Sequence, residues 1–550
     1  MDDRAKLKLT LEPALYLLAF GAALGFRFIS LGQAPLGDGE SRLPLQAMDM
    51  AAGGHPQLDP QAGYLTLTSA LFFLFGRDAW LARFWPALAG AGLALAPYLF
   101  RERLGRSAAL ALAFFIAFEP GLVAVSRLAD GRMLALVFAV FGLGFLLARK
   151  PVGTGICAGL ALLGGPTIWM GAAGLALGWF IYYALQPAGG EKYADSRVGA
   201  YDNGEYPPAS GWRWGKFGAW AVGTILVVGT LFLTQTPALG AAAGSLAAFF
   251  EGIFGRQAGQ PVQLVMLAWL VSTPLAVGLG ITEAVHAKRT GDQNSLFLAW
   301  WWVAALLVVL VNPARQSADL IWPALPMLAL GAKTTVRIFD VRGEKTAFFA
   351  HAGLSLVLLA SMWLSLVGAV SAWNENEQSM RLAGMLASFF LLLAASFLII
   401  WGWGLRVTGR GLRLGLSVLL VIYSLAAAWD AAGLGNLPEN ELWRLDALPK
   451  DADLLTGSLR DFSMWEKGRP EVLDVTLSGL ANPSIVWALR DFRTVKVTSS
   501  LSVNGAPGLV VTPLQDELVA NGLIDEVQVL ETSRIGGCDQ GPEIMVYPEG

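Results

Sequence analysis

Two groups of charged residues in the first quarter of the chain could carry out acid–base chemistry on a charged substrate. Asp38 and Glu40 stand two positions apart in LGDGESRLP, and Arg127, Asp130 and Arg132 lie together in SRLADGRM. A carboxylate can act as a general base, and a guanidinium suits bidentate contact with phosphate oxygens. If the chain brings the two groups together, they predict a site that deprotonates an acceptor while it holds a phosphate.

The composition indicates what kind of scaffold must position these side chains. Apolar residues make up 55% of the 550 residues and charged residues only 15%, whereas a soluble globular chain carries roughly 25% charged residues. This shortfall excludes a soluble enzyme, a disordered protein and a nucleic-acid binder with a broad basic face, so no nucleic-acid partner is expected. It predicts a polytopic membrane protein that contacts membrane lipids.

The charge is divided unevenly along the chain. Residues 438–550 hold 18 acidic and 9 basic side chains, a net charge of −9, while residues 1–437 hold 24 acidic and 30 basic, a net charge of +6. We therefore predict a transmembrane domain over 1–437 and a water-soluble domain over 438–550. In the second part, short β-like runs alternate with helix-like stretches, which is typical of a small α/β domain. The β-like runs are 495–500, 509–513, 527–530 and 544–548, and the helix-like stretches are 483–492 and 514–522. The pattern of this part shows no catalytic motif.

The membrane domain is expected to be all-α with about thirteen transmembrane helices. A helical span needs about 20 predominantly apolar residues. The candidate spans lie near 11–31, 80–100, 107–125, 132–148, 152–165, 166–185, 216–236, 262–281, 296–311, 317–332, 347–371, 382–404 and 412–430.

Basic residues between these spans set the expected orientation. Cytoplasmic loops carry an excess of Lys and Arg, and alternating spans place the basic loops on the side of the N-terminus. We therefore predict an integral protein of the cytoplasmic membrane with its N-terminus inside and its C-terminal domain outside. The expected cytoplasmic loops contain Arg101/Arg103/Arg106, Arg149/Lys150, Lys192/Arg197/Arg213/Lys216, Lys288/Arg289, Lys333/Arg337/Arg342/Lys345 and Arg406/Arg410/Arg413.

The apolar segment 64–76 is the exception to this alternation. It could form a further span, but a span there would place the basic cluster at 101–106 outside and invert every later helix. We therefore predict an interfacial or half-inserted helix within a first outer loop, 32–77. The two acidic and arginine-containing loops then lie at the same membrane face, where carboxylates suggest function.

Four short motifs follow one another in the first quarter of the chain. They are Phe75-Gly76, Ala82-Arg83 with Pro86-Ala87-Leu88 and Gly90, the basic turn Arg101 to Arg106, and Ser126-Arg127. Together they resemble the GT-C membrane glycosyltransferases, in the branch related to protein O-mannosyltransferases and lipid A aminoarabinose transferases, and within it the prokaryotic flippase-activity-associated proteins. The resemblance covers the chain to about residue 150 and part of the tail, where IVWALRDFRTVKV resembles a "WYLRd" segment.

This resemblance implies an activity and a donor. Members of the family transfer a sugar from a polyprenyl-phosphate carrier to an acceptor at the outer membrane face, and their first outer loop carries an acidic motif. Glu40 matches the family's Glu, while Gly39 stands in place of the adjacent Asp and Asp38 comes one position earlier. The implied partners are a polyprenyl-phosphate sugar, as donor, and a glycan, lipid or protein acceptor.

The candidate site residues follow from the loops and the resemblance together. Asp38 is expected to be the base, while Glu40 orients the acceptor or, with Asp38, holds a divalent cation, since hard cations take carboxylate oxygens. Asp130 is the third catalytic candidate. Substrate contacts are expected from Arg127, Arg132 and Arg315 to the phosphate, and from Arg83, His55 and Asp59.

Two other functions stay open on the sequence. A transporter or lipid flippase should show internal repeats and ionisable residues in mid-span, and neither pattern is clear here. A catalytically degenerate family member acting as a scaffold is the second alternative, because the acidic motifs are shifted. The candidate residues also have ordinary interpretations: solvated loop side chains for those in the outer loops, packing at the start of an apolar helix for Arg83, and a side chain that reaches the membrane interface for Arg315.

Overall fold

The computed structural model is mostly helical, with a small mixed sheet near the C-terminus. Helices and strands follow the order that the sequence predicts, a long helical part first and an α/β part last. The structure describes residues 3–185, 213–255, 259–339, 345–435, 443, 452–478, 482–498, 509–513, 528–530 and 542–546.

The first part of the membrane domain contains ten α-helices and one 3₁₀-helix. The helices are α1 Asp3–Phe28, α2 Asp38–Ala51, α3 Ala62–Phe75, α4 Ala79–Gly92, the 3₁₀-helix Leu93–Phe100, α5 Arg101–Leu104, α6 Arg106–Phe118, α7 Pro120–Ser126, α8 Arg132–Leu147, α9 Pro151–Leu163 and α10 Thr167–Ala184.

The second part continues from residue 214 with longer helices. They are α11 Trp214–Gly229, α12 Pro237–Phe254, α13 Val262–Ser272, α14 Pro274–Thr290, α15 Gln293–Val311, the 3₁₀-helix Ser317–Leu320, α16 Ile321–Phe339, α17 Lys345–Val370, α18 Glu375–Trp403 and α19 Leu405–Ala431.

The bundle has two distinct ends. At one end, here called the α2 end, Glu40 of α2 contacts Ala129 of the loop 127–131, and Arg132 contacts Gln316. The opposite end, here called the basic end, brings Arg103 and the end of α8 to the start of α15 around one groove. The acidic loops and the basic loops are thus separated, as the predicted alternation requires.

Helix α3 lies along the α2 end and does not pass between the ends. The residue before it, Gln61, accepts a hydrogen bond from Gly131, and the residue after it begins the turn into α4 at Asp78. Its last residues, Phe73 to Phe75, are largely exposed. The interfacial or half-inserted position of 64–76 stays a prediction.

Helix α12 is absent from the sequence prediction, which treats 237–261 as a loop. It is an apolar helix of 18 residues. Its start follows α11, whose last residue Gly229 lies against Leu163, and its later residue Gly252 accepts a hydrogen bond from Ala314. Both neighbours belong to the α2 end, so α12 also runs along that end.

Two helical spans are broken by proline. Helices α6 and α7 meet at 55° around Glu119–Pro120, and α13 and α14 meet at 86° around Thr273–Pro274. Proline cannot donate the backbone hydrogen bond that a continuous helix needs. The carbonyls that lose a partner at the first break, Ile116 and Ala117, accept hydrogen bonds from the buried guanidinium of Arg27.

The expected number of spans, about thirteen, is larger than the number of long apolar helices. Among the described residues, eight helices are long and apolar enough to cross a membrane, and up to ten if each bent pair forms one span. Helices α8, α9 and α11 have only 16, 13 and 16 residues, and α16 carries Lys333 and Arg337. The sequence count included these four.

The C-terminal part is a small α/β unit, as predicted. Its sheet has the strand order β2-β1-β3-β5-β4, with β1 parallel to β2 and β3, and β5 antiparallel to β3 and β4. The predicted helix at 514–522 lies outside the described residues. The elements are α20 Ala452–Lys467, β1 Asp474–Ser478, α21 Pro483–Ala488, β2 Thr494–Thr498, β3 Leu509–Pro513, β4 Gln528–Leu530 and β5 Pro542–Val546.

Trp443, between the two parts, is anchored in the membrane domain. It is buried within the main apolar core, its indole N–H donates to Ser272 at 2.9 Å, and its ring lies against Gly121. Trp443 thus packs with the helical bundle although it lies after the predicted boundary at 437/438.

Candidate functional site

The loop 127–131 is fixed by acceptors from two other segments. The backbone N–H of Ala129 donates to Glu40 Oε1 at 3.0 Å, and the N–H of Gly131 donates to the side chain of Gln61. A Cβ on Gly131 would come within 2.5 Å of the Gly164 carbonyl oxygen, so only glycine permits this approach. The loop is therefore held between α2, the start of α3 and the α9–α10 turn.

Glu40 is paired with Arg83 in an almost fully buried ion pair. Arg83 Nε donates to Oε1 at 2.6 Å and its Nη2 donates to Oε2 at 2.8 Å, which is a bidentate arrangement. The side chains are 10% and 3% exposed. Arg83 also donates to the carbonyls of Leu31 and Ala34. The pair therefore ties the end of α1, the start of α2 and α4 to the loop 127–131.

Removing Glu40 is expected to destabilise this end of the bundle. Breaking a buried ion pair leaves an uncompensated charge and costs about 3–5 kcal/mol, so Glu40→Gln should lower the free energy of unfolding by that amount. Equilibrium unfolding of the detergent-solubilised protein measures the loss. Arg42 and Asp59 form a matched control pair at 3.0 Å, with the Arg42 side chain 65% exposed. Asp59→Asn should cost about 0–1 kcal/mol, and equal losses in the two variants would contradict this role for Glu40.

The carboxylate of Asp38 is bound to the C-terminal unit. It accepts hydrogen bonds from the backbone N–H and the hydroxyl of Ser484 and from the amide of Asn482, at 3.1 Å for the N–H and 3.3 Å for the amide. These groups stand at the start of α21, where an acidic side chain satisfies free N–H donors. Trp487 packs on Phe72 with ring centroids 5.9 Å apart. Asp38 therefore helps to dock the α/β unit on the α2 end.

Arg127 and Arg315 both lie at helix C-termini. Arg127 donates to four carbonyls at the end of α1, at 2.8 to 3.3 Å. Arg315 Nη1 donates to the carbonyls of Leu310 and Asn312 at the end of α15. Cations stabilise helix C-termini because the last carbonyls have no partner within the helix. Both guanidinium groups are thus engaged with the backbone in this structure.

Arg27 was not predicted as a site residue from the sequence, although its side chain stabilises the α6–α7 break. Its guanidinium is fully buried and satisfies the carbonyls at the α6–α7 break. A Cβ on Gly90 would come within 2.9 Å of Arg27 Nε and 2.5 Å of Ser126 Cβ. The glycine at position 90 therefore gives this side chain its space. The only signal in the sequence was the position of this arginine inside the apolar span 11–31, where an ionisable residue suggests function.

Arg132 faces a cavity of about 140 Å³ at the α2 end. Its Nε lies 3.5 Å from Asp130 Oδ2, and its Nη2 donates to the side chain of Gln316. Its Nη1 is buried and has no hydrogen-bond partner among the residues that the structure describes. The polar side chains around this space, here called the Arg132 cavity, are Gln61, Arg132, Thr167, Asn312, Gln316 and Asp319.

Two carboxylates flank Arg132. Burial raises the pKa of Asp130 to about 6, although the nearby Arg132 opposes the shift. Burial also raises the pKa of Asp319, again against the effect of Arg132. Asp319 Oδ2 accepts from the Gln316 N–H at 3.0 Å, which fixes the turn before α16. Neither Asp319 nor Gln61 nor Gln316 was predicted, because single polar residues in short turns carry no pattern.

The remaining predicted residues lie apart from this cavity. His55 is an exposed loop residue, and Asp59 pairs with Arg42 while its N–H donates to Gln46. The described residues contain no group of three His, Cys, Asp or Glu side chains that could hold a metal ion. Since Arg83 occupies both Glu40 oxygens and α21 occupies Asp38, this pair does not form the predicted cation site.

Comparison with known proteins identifies the fold of this chain. No protein-family model and no curated protein matches the sequence. The crystal structure of ArnT from Cupriavidus metallidurans bound to undecaprenyl phosphate matches 99% of this chain and 100% of that chain, with a TM-score of 0.56 and 15% identity. This chain shares the ArnT fold.

The apo structure of ArnT from the same organism matches as well. It covers 99% of this chain and 98% of that chain, with a TM-score of 0.52 and 15% identity. The predicted all-helical polytopic membrane architecture is therefore confirmed over most of the chain. The protein is an integral membrane protein.

Proposed function

We propose that this protein is a membrane glycosyltransferase that moves a sugar from a polyprenyl-phosphate carrier to an acceptor at the outer membrane face. The observation that carries the proposal is the buried, unpartnered Nη1 of Arg132 on the wall of the Arg132 cavity. An unsatisfied buried donor is costly, and a phosphate oxygen would satisfy it. The ArnT structure that shares this fold was determined with undecaprenyl phosphate bound.

The proposed transfer also needs a base that takes the acceptor proton. Asp130 lies beside Arg132, is mostly buried, and has a pKa raised to about 6. A general base works best when its pKa lies near the working pH. We assign Asp130 as the base. The sequence analysis favoured Asp38 as the base instead. The Asp38 carboxylate is bound to the start of α21, and its role as the base stays a prediction.

The proposed reaction is an inverting displacement. An acceptor oxygen or nitrogen attacks the anomeric carbon, the bond from that carbon to the phosphate oxygen breaks, and the acceptor proton passes to Asp130. Arg132 stabilises the negative charge that the departing polyprenyl phosphate gains. Gln61, Asn312 and Asp319 on the same wall are placed to bind sugar hydroxyls.

The proposed orientation follows the charge distribution. The basic end carries Arg103, Arg149 and Lys150, and loops rich in Lys and Arg stay in the cytoplasm. The Arg132 cavity and the α/β unit then face outward. The donor would reach the cavity from the outer leaflet, and a glycan, lipid or protein acceptor from the outer aqueous side.

A transfer assay tests the proposal. Purified protein in liposomes is supplied with undecaprenyl-phosphate-linked sugars and a cell-envelope fraction, and release of undecaprenyl phosphate with transfer of label is measured. The expected result is label in an acceptor that depends on the protein. Binding of undecaprenyl phosphate with no turnover of any supplied donor would contradict the enzyme and favour a scaffold.

A further inference from the structure

A groove lies at the basic end, away from the Arg132 cavity. It has a volume of about 400 Å³ and its walls are mostly apolar. Sites for small ligands usually enclose about 300–1,000 Å³, so the groove is large enough for more than a solvent molecule. We call it the Arg103 groove.

Each wall of the Arg103 groove consists of side chains on one face of a helix. Helix α8 contributes Val140, Leu143 and Leu147, which are spaced by three and four residues. Such spacing places side chains on one face. Seven residues of helix correspond to about 10 Å along its axis, which is roughly two thirds of the hydrocarbon thickness of one leaflet. The groove therefore has the depth of a partly inserted acyl chain.

The floor of the groove is apolar and the mouth is polar. Leu112, Ile116 and Ala329 are buried at the bottom. Arg103 stands exposed at the rim, with no hydrogen bond or ion pair to the described residues. The amides of Gln293 and Asn294 lie at the same rim. A cation above an apolar channel complements an anionic head group above an acyl chain.

Aromatic rings mark the membrane interface beside the mouth. Trp179 and Tyr183 pack with centroids 4.7 Å apart, and both are more than half exposed. The hydroxyl of Tyr182 donates to Gln293 at 2.9 Å. Trp and Tyr prefer the level of the lipid head groups. This level coincides with Arg103, so a head group bound there belongs to a lipid of the leaflet that meets the basic end.

We propose that the Arg103 groove is a binding site for one anionic glycerophospholipid of that leaflet. The acyl chain occupies the channel between α6, α8, α15 and α16, and the phosphate contacts Arg103 and the amides of Gln293 and Asn294. This site is separate from the donor site proposed above, because the two lie at opposite ends of α8.

Native mass spectrometry of the full-length protein tests this proposal. The protein is exchanged from detergent into micelles that contain dioleoyl phosphatidylglycerol or dioleoyl phosphatidylcholine, and bound lipid is counted. The expected result is one retained phosphatidylglycerol per chain and at least 10-fold less phosphatidylcholine. Equal retention of the two lipids would overturn the anionic site, and retention of added undecaprenyl phosphate in place of phosphatidylglycerol would overturn the phospholipid.

Two variants and two matched controls locate the bound lipid. Arg103→Ala should reduce retained phosphatidylglycerol at least 10-fold, whereas Arg106→Ala, at the same end but outside the groove, should change it less than 2-fold. Ala329→Phe fills the floor and should remove both lipids, while Ala394→Phe, on an exposed helix face, should not. Wild-type retention in Arg103→Ala contradicts the proposal even if Ala329→Phe fails to fold.

Discussion

Replacing Arg132 with methionine is expected to reduce kcat/KM for sugar transfer by about 10²–10³-fold, because loss of one donor to a developing oxyanion has an effect of this size. Among the described residues, Arg132 Nη1 and Arg315 Nε are both buried donors without a hydrogen-bond partner, but of these two arginines only Arg132 lines the Arg132 cavity. Steady-state transfer from undecaprenyl-phosphate sugar measures the loss. Arg132→Lys should recover only part of it, since an ammonium cannot reproduce the planar fork of donors.

A matched control separates this effect from general damage at the α2 end. Arg42 lies at the same end but is mostly exposed and paired only with Asp59. Arg42→Met should leave kcat/KM within about 2-fold, as expected for an exposed pair worth less than about 1 kcal/mol. If Arg132→Met kept wild-type transfer and wild-type affinity for undecaprenyl phosphate, the phosphate site would have to be elsewhere.

Replacing Asp130 with asparagine is expected to lower kcat by about 10²–10⁴-fold, the usual contribution of a general base. The amide keeps an oxygen that can accept from the Arg132 N–H, which Asp130 binds at 3.0 Å, so the loop should keep its conformation. Donor affinity should therefore change little while kcat falls. A parallel loss of donor affinity would indicate a structural role instead.

The pH dependence of transfer provides a second signature of Asp130. Burial raises its pKa to about 6, and a base must be deprotonated to act. The rate should therefore fall as the pH drops below about 6 and reach a plateau above it. Asp319, whose pKa is also raised, supplies the control: Asp319→Asn should preserve the inflection. An inflection that persists in the residual activity of Asp130→Asn would contradict the assignment.

Asp38→Asn distinguishes the two candidate bases. If Asp38 were the base, as the sequence pattern favours, this change would abolish transfer. Its contacts with Ser484 and Asn482 predict instead a modest effect on transfer and a weaker docking of the α/β unit. Limited proteolysis between the two parts, together with the transfer assay, measures both outcomes. Abolished transfer with unchanged proteolysis would restore Asp38 as the base.

Much of the architecture could be predicted from the sequence because hydropathy and charge are local signals. The long apolar runs, the separate helix at 64–76 and most of the C-terminal strands follow from patterns of neighbouring residues. The strand Asp474–Ser478 and the helix Pro237–Phe254 were missed. The helix Pro237–Phe254 has the length and composition of a span. Its position along the α2 end follows only from packing.

The candidate site was predictable only in part, because contacts across hundreds of residues decide what each side chain does. Asp38 meets Ser484, which is 446 positions away, and Arg127 meets carbonyls about 100 positions earlier. The sequence identifies these residues as charged and near one membrane face. Only the fold assigns Asp38 and Arg127 to helix ends and leaves Arg132 at a cavity.

The position of the carrier phosphate tests the central claim most directly. Cryo-electron microscopy of the protein in nanodiscs with undecaprenyl phosphate would locate it. The account predicts phosphate density within hydrogen-bond distance of Arg132 Nη1, in the cavity lined by Gln61, Asn312 and Asp319. Phosphate density at Arg127 or Arg315, with the Arg132 cavity occupied only by solvent, would contradict it.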